Sequence, residues 1–166
     1  MPKISKKEFA KLYDEYIEKI YRFIFLKVSS RETAEDLTSQ VFLNFWQARE
    51  GVKDPRAFLY RIARNLVIDF YRQKEKSPLL AEEMMAVLVD EKANTEYKVV
   101  LAADVAQIKD ALVKIKPEYS EAIILHYLED LPISEVAQIL ERPEGTIRVM
   151  LHRGLEELRE MVPALY

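Results

Sequence analysis

The 166-residue chain predicts an all-α fold: two small helical bundle domains joined by a linker, the C-terminal one containing a helix-turn-helix. Three observations predict it. Apolar residues recur at three- and four-residue spacing through every strongly patterned stretch, the period of a helix with one buried face. Only 3 glycines occur, and Pro55, Pro117, Pro132 and Pro143 stand where helices should begin. Ser77-Pro78 breaks the pattern and opens an irregular segment, so the domains fall at residues 1–76 and 95–166 with a linker at 77–94.

The elements follow in order. Ser5-Lys6-Lys7-Glu8 has the spacing of a capping box, in which a serine oxygen accepts an orphan N–H and a glutamate reaches back. Phe9, Tyr13, Tyr16, Ile17, Ile20, Ile24 and Val28 then form a helical stripe. A second box, Ser29-Ser30-Arg31-Glu32, opens a helix whose stripe is Ala34, Leu37, Val41, Phe45 and Ala48, and Gly51 ends it. Asp54-Pro55 starts a third helix, running to about Lys74, with Leu59, Ile62, Ala63, Leu66 and Phe70 as its core side. The linker holds a Met/Leu cluster and acidic residues. From Thr95 a helix runs to about Ile115, then another from Pro117 to Glu129, and two more are entered at Pro132 and near Pro143.

Charge and composition exclude several function classes. Cysteine is absent, which removes disulfides, thiolate nucleophiles and cysteine-ligated zinc and suits a reducing compartment. His126 and His152 lie 26 positions apart without ligand partners at metal spacing, and no Gly-rich phosphate loop occurs. No cofactor, no metal and no catalytic constellation are therefore expected, and the protein is read as non-enzymatic. No apolar run approaches the roughly 18 residues of a membrane span, and the start lacks a signal-peptide core, so a cytoplasmic protein without membrane insertion is expected. The net charge of −3 is unevenly distributed. Residues 1–76 carry 16 Lys+Arg against 11 Asp+Glu, whereas residues 106–166 carry 7 against 11. Local basic faces can hold phosphates while the remainder stays acidic.

The C-terminal stretch has helix-turn-helix order. Ile133, Val136, Ala137 and Leu140 make a short one-sided helix, and Glu141-Arg142-Pro143-Glu144-Gly145 supplies the turn. Ile147, Leu151, Leu155, Leu158 and Val162 form the buried stripe of a longer helix. Its remaining face presents Thr146, Arg148, Val149, His152, Arg153, Glu156 and Arg159. Such a helix fits the major groove, where arginine meets guanine acceptors. Gly154 costs about 1 kcal/mol relative to alanine inside a helix, so a close approach to another element or to DNA, or simple tolerance, accounts for it.

The third helix is basic and aromatic. Lys53, Arg56, Arg61, Arg64, Arg72, Lys74 and Lys76 face only Asp54, Asp69 and Glu75, and Phe58, Tyr60, Phe70 and Tyr71 interleave with them. Cations beside aromatic faces suit a single strand, whose bases stack while its backbone pairs with charge. Core packing is the alternative for any one aromatic.

Three strings, Ala34 to Trp46, Ala57 to Asn65 and Pro143 to Arg153, closely resemble the extracytoplasmic-function (ECF) group of bacterial sigma factors, the promoter-recognition subunits of RNA polymerase. They stand in that family's order and spacing. The resemblance implies that Asp36, Leu37 and Gln40 grip the clamp of core RNA polymerase, with Phe42 and Phe45 supporting from the core. Ser39 stands where many members carry glutamine. It implies that the loop from Arg49 to Asp54 and the basic helix open the −10 element and hold a flipped non-template base, through Lys53, Phe58, Arg61, Arg64 and Asn65. Phe58 stands where tryptophan is common. It implies −35 recognition by Thr146, Arg148, Val149, His152 and Arg153. Members often have a small polar and then a basic residue where this chain has Val149 and Met150. Met150 can join the buried stripe, and Val149 can touch a thymine methyl. The implied partners are core RNA polymerase (clamp and flap regions), promoter DNA and an inhibitory anti-sigma factor. A helix-turn-helix regulator independent of polymerase, or a purely structural bundle, is the alternative; co-purification with core polymerase and salt-dependent DNA binding separate the three.

Overall fold

Ser5 starts the first helix: its Oγ accepts the Glu8 N–H at 3.1 Å, satisfying one orphan donor of the opening turn. The computed structural model describes residues 3–28, 30–76, 107–108 and 110–162. The chain divides into two compact units, Met1–Ala93 and Asn94–Tyr166, each with its own helices. The predicted linker and the first part of the helix expected from Thr95 lie outside the described residues.

Unit one contains α1 (Lys6–Val28), α2 (Arg31–Gln47) and α3 (Pro55–Lys76), and each packs on the other two. The second cap sits one residue later than the spacing predicts. Ser30 is the N-cap and accepts from the Thr33 N–H at 3.3 Å, so position N3 is a threonine and no reciprocal glutamate contact can close a box with it. Likewise α2 ends at Gln47 rather than at Gly51. Gly51 instead takes φ +80 in the loop to α3, where a side chain would be strained. Asp54 caps α3, accepting the Ala57 N–H at 3.3 Å.

The core of this unit is aliphatic and aromatic. Ile20, Phe23, Ile24 and Val28 of α1 meet Ala34, Val41 and Phe45 of α2 and Leu59, Tyr60 and Ala63 of α3, all buried. Thr38, unremarked in the sequence pattern, is buried because its hydroxyl donates to the Ala34 carbonyl at 2.6 Å. Ala48, expected in the α2 stripe, is exposed. The buried side of α3 is also rotated from expectation: Tyr60 and Val67 are inside, while Ile62, Leu66 and Phe70 are half-buried. Tyr71 ties the end of α3 to the end of α1 by donating its hydroxyl to the Lys27 carbonyl. Burial raises the Tyr71 phenol above its ordinary value of 10.0.

In unit two, residues 110–114 are helical and precede α4 (Pro117–Ile123), which passes directly into a π turn at Ile124–Leu128. The π register shows in the Glu129 N–H, which donates to Ile124 O at 2.9 Å, five residues back. His126 Nδ1 lies 2.8 Å from the Leu131 carbonyl. A carbonyl only accepts, so the imidazole carries its proton on Nδ1 there. This histidine locks the turn. Next come α5 (Ile133–Leu140) and α6 (Glu144–Met161). The turn between them is made by Glu141, which ends α5 with φ 56, whereas Gly145 lies inside the first turn of α6. The Arg142 N–H reaches back to Ala137 O at 3.1 Å and closes the end of α5.

Gly154 has a packing cause. A Cβ on it would stand 2.7 Å from Ile123 Cδ1 and 3.0 Å from Tyr119 Cβ. Here α6 crosses α4 with no room for a methyl group, which selects the first of the alternatives left open by the sequence.

Candidate nucleic-acid and protein interface

The long helix α6 separates its two faces cleanly. Ile147, Met150, Leu151, Gly154 and Leu158 are buried against the rest of unit two. Arg148, Val149, His152 and Arg153 are exposed, and Thr146 is half-buried at the start of the face. Met150 thus joins the core as its spacing allows. Val149, 47% exposed, is the apolar member of an otherwise polar surface. His152 Nε2 lies 3.1 Å from Glu156 Oε1, an intrahelical i,i+4 pair absent from the sequence-based expectation. That pair sits on the solvent side and is worth only tenths of a kcal/mol, about what exposed i,i+4 pairs give.

Among the described residues of unit one, two exposed surfaces hold residues singled out by the sequence. On α2, Asp36, Gln40 and Leu43 recur at i, i+4 and i+7 and all face solvent, with Leu37 half-buried beside them. Gln40 Nε2 donates to Asn44 Oδ1 at 2.6 Å, which fixes the amide on this face. Leu43 is 49% exposed and extends the same stripe by a turn; its exposure was not legible from hydrophobicity, which assigns a leucine to the core. Phe42 and Phe45 are buried beneath, as expected. Ser39 lies in a groove of about 400 Å³ between α1 and α2, lined also by Ile17, Tyr21 and Thr38.

The second surface is α3 with the loop before it. Phe58, Arg61 and Asn65 share one face of the helix; Arg61 and Asn65 are exposed, and Phe58 is half-buried, its ring 5.8 Å from that of Phe45. Phe58 is therefore anchored from below while one side stays accessible. Arg64 is half-buried and set about a third of a turn away, and Lys53 is exposed in the loop. That loop begins at Arg49, whose guanidinium lies 3.6 Å over the Trp46 ring and whose Nη1 donates to Trp46 O at 2.7 Å. The Arg49 Nε is buried without a hydrogen-bond partner. Cation–π attraction offsets part of that cost, by about 0.5–2 kcal/mol depending on desolvation. The five predicted −10 residues are thus brought to one loop-helix unit, though Arg64 does not share the face of the others.

No group of three metal-capable side chains occurs among the described residues, and none of their helices is long and apolar enough to cross a membrane.

Comparison with known proteins agrees with this geometry. Residues 12–77 match the family described as Sigma-70 region 2, and residues 106–158 match Sigma-70, region 4. The ECF RNA polymerase sigma factor SigW of Bacillus subtilis is 30% identical over 165 residues, covering 93% of this chain and 88% of that protein. BldN of Streptomyces coelicolor, also an ECF RNA polymerase sigma factor, is 31% identical over 160 residues, covering 93% of this chain; the chain spans 60% of that relative's length. Among solved structures, RpoE from Bartonella quintana, crystallised with the anti-sigma factor NepR, aligns with TM-score 0.68 and 21% identity over 95% of this chain and 98% of that one. CnrH, solved with the cytosolic domain of CnrY, aligns with TM-score 0.67 and 19% identity over 96% and 90%. At those identities the structures share a fold. The chain belongs to the ECF RNA polymerase sigma factors, and its two units carry the family's region 2 and region 4.

Proposed function

We propose that this sigma factor binds core RNA polymerase chiefly through the α2 face of Asp36, Leu37 and Gln40, with region 4 engaging the flap, and directs initiation at promoters bearing −10 and −35 elements. Arg148, Val149, His152, Arg153 and Thr146 read the −35 duplex from the major groove. Lys53, Phe58, Arg61, Arg64 and Asn65 hold the opened −10 strand. The observation that carries the reading is the division of α6: Arg148, Val149, His152 and Arg153 face solvent on a helix whose other side packs into the core through Ile147, Met150, Leu151, Gly154 and Leu158, with Leu155 half-buried.

Strand opening needs no bond-making by these residues. Binding energy directed at the unpaired strand offsets unstacking, which costs a few kcal/mol per base. The protein is accordingly non-enzymatic and acts in the cytoplasm with promoter DNA and polymerase. The likeness to RpoE, solved with an anti-sigma factor, supports such a partner for this chain too. Val149 sets a preference for thymine through its methyl group, and Val149→Ser should remove that preference in base-by-base scanning of a −35 duplex.

In vitro transcription with core polymerase tests the whole reading. Asp36→Ala should lower holoenzyme formation with little change in the fold, while Arg148→Ala should leave holoenzyme intact and lower initiation at −35-dependent promoters. Initiation unaffected by both substitutions would refute the assignment.

A further inference from the structure

Helices alone do not account for one connection in unit one. Lys3 and Glu50 form an isolated antiparallel bridge, pairing the residues before α1 with the loop that joins α2 to α3. Ile4 is 8% exposed, between exposed Lys3 and Ser5, and Ser5 then caps α1. The N-terminal segment is therefore held at Ile4 by burial, at Ser5 by the start of a helix, and at Lys3 by main-chain pairing. The loop has its own anchors at each end: Arg49 on Trp46, and Asp54 at the cap of α3. Between them it contains Gly51 with φ +80 and the exposed Lys53. The mid-loop partner is Lys3.

We infer that residues Lys3–Ser5 act as a strap that holds the loop at 48–54 in the conformation that receives the unpaired promoter base; Ile4 is its positioning residue. The inference rests on the reading that this loop takes a flipped base. A loop fixed only at its ends samples many conformations, and ordering it at the moment of DNA capture would weaken binding by the entropy lost. The strap supplies that order in advance. Because the pairing is main-chain, the Lys3 ammonium is not required for it.

Two readouts on the full chain test the strap. Hydrogen exchange of loop amides in the free protein reports the strap itself, and fluorescence of 2-aminopurine in the non-template −10 strand reports base capture by holoenzyme. Ile4→Ala should speed loop exchange roughly tenfold while leaving the buried stretches of α2 and α3 protected, as local opening does. It should lower the 2-aminopurine signal per bound holoenzyme several-fold, with core-polymerase affinity unchanged. Ile4→Val and Lys3→Gln should behave as the parent.

The chain has no cysteine, so Lys3→Cys with Glu50→Cys places one unambiguous pair across the bridge. Directly opposed antiparallel residues have Cα atoms about 4.5–5.5 Å apart, within disulfide range. Oxidation should restore slow exchange and base capture to Ile4→Ala, and should slow exchange even in the parent if that variant folds poorly. Unchanged loop exchange in Ile4→Ala, equal damage from Lys3→Gln, or failure of the cross-link to restore would each overturn the strap. A parent holoenzyme that opened no promoter would refute the base-capture reading instead, with loop exchange still deciding the strap.

Discussion

A missing methyl group is the most informative single residue in unit two. Alanine at 154 would gain about 1 kcal/mol of helix propensity over glycine. The same methyl would meet Ile123 Cδ1 at 2.7 Å and Tyr119 Cβ at 3.0 Å. The isoleucine tip can move, but a Cβ is fixed to its backbone, so overpacking of about 1–3 kcal/mol should win. Gly154→Ala is expected to lower the unit-two transition in urea without a change in its slope. The sequence marks Gly154 as out of place and no more, because its neighbours on α4 lie some thirty positions earlier. Tyr71 is a second such case. Its phenol is raised by burial, so above 10.0 the unfolded chain releases a proton that the folded chain retains. The stability it contributes is full below 10.0 and is lost as pH rises through the folded value. Tyr71→Phe should cost about 1 kcal/mol at neutral pH, the net worth of one hydrogen bond, and its difference from the parent should shrink on alkaline titration.

Elements were legible where burial is one-sided and less so where it is shared. The bounds of α1, α5 and α6 follow their apolar periodicity closely. On α3 the pattern misassigned the inner face, because apolar residues occur nearly all round it. Tertiary packing then decides, placing Tyr60 and Val67 inside and leaving Ile62 and Leu66 half-covered. The cap of α2 slipped from Ser29 to Ser30 for a similar reason: adjacent serines offer equal side chains, and only the chain's path selects one. The turn before α6 shows the opposite bias. Its string contains a glycine, yet the left-handed position is Glu141, whose φ is 56. Left-handed backbone costs a residue with a Cβ about 1–2 kcal/mol, part of which glycine returns through its unfolded-state entropy. Glu141→Gly is therefore expected to raise the unfolding free energy of unit two by about 0.5 kcal/mol, read as a higher urea midpoint at constant slope.

At the scale of the molecule, net charge misleads unless it is mapped along the chain. A protein at −3 can contact a polyanion where cations outnumber acids locally, as they do over residues 1–76. Unit two as a whole is acidic, so the DNA contact proposed for α6 would depend on few phosphates, and each should be visible. Arg148→Ala or Arg153→Ala should each reduce the slope of log affinity against log salt by about one if the arginine meets a phosphate. Val149→Ser should leave that slope alone and change base preference instead. The fold class and the exposed side of α6 were legible because both are written in helical periodicity. The loop at 48–54 was less so: its order depends on a main-chain bridge and on a stacked Arg49, and neither leaves a periodic trace.

The π turn at Ile124–Leu128 carries one residue more than an α-helix of the same length would hold. A single-residue deletion in this stretch would let an unbroken α-helix form and return the ladder to four-residue bonding. Because the wider turn is what absorbs the extra residue, the chain beyond it, α5 and α6 included, would keep nearly its present phase against α4. Deletion scanning should therefore find a lost amino acid better tolerated within this turn than inside α4 or α6, where the same loss turns everything downstream by about a hundred degrees.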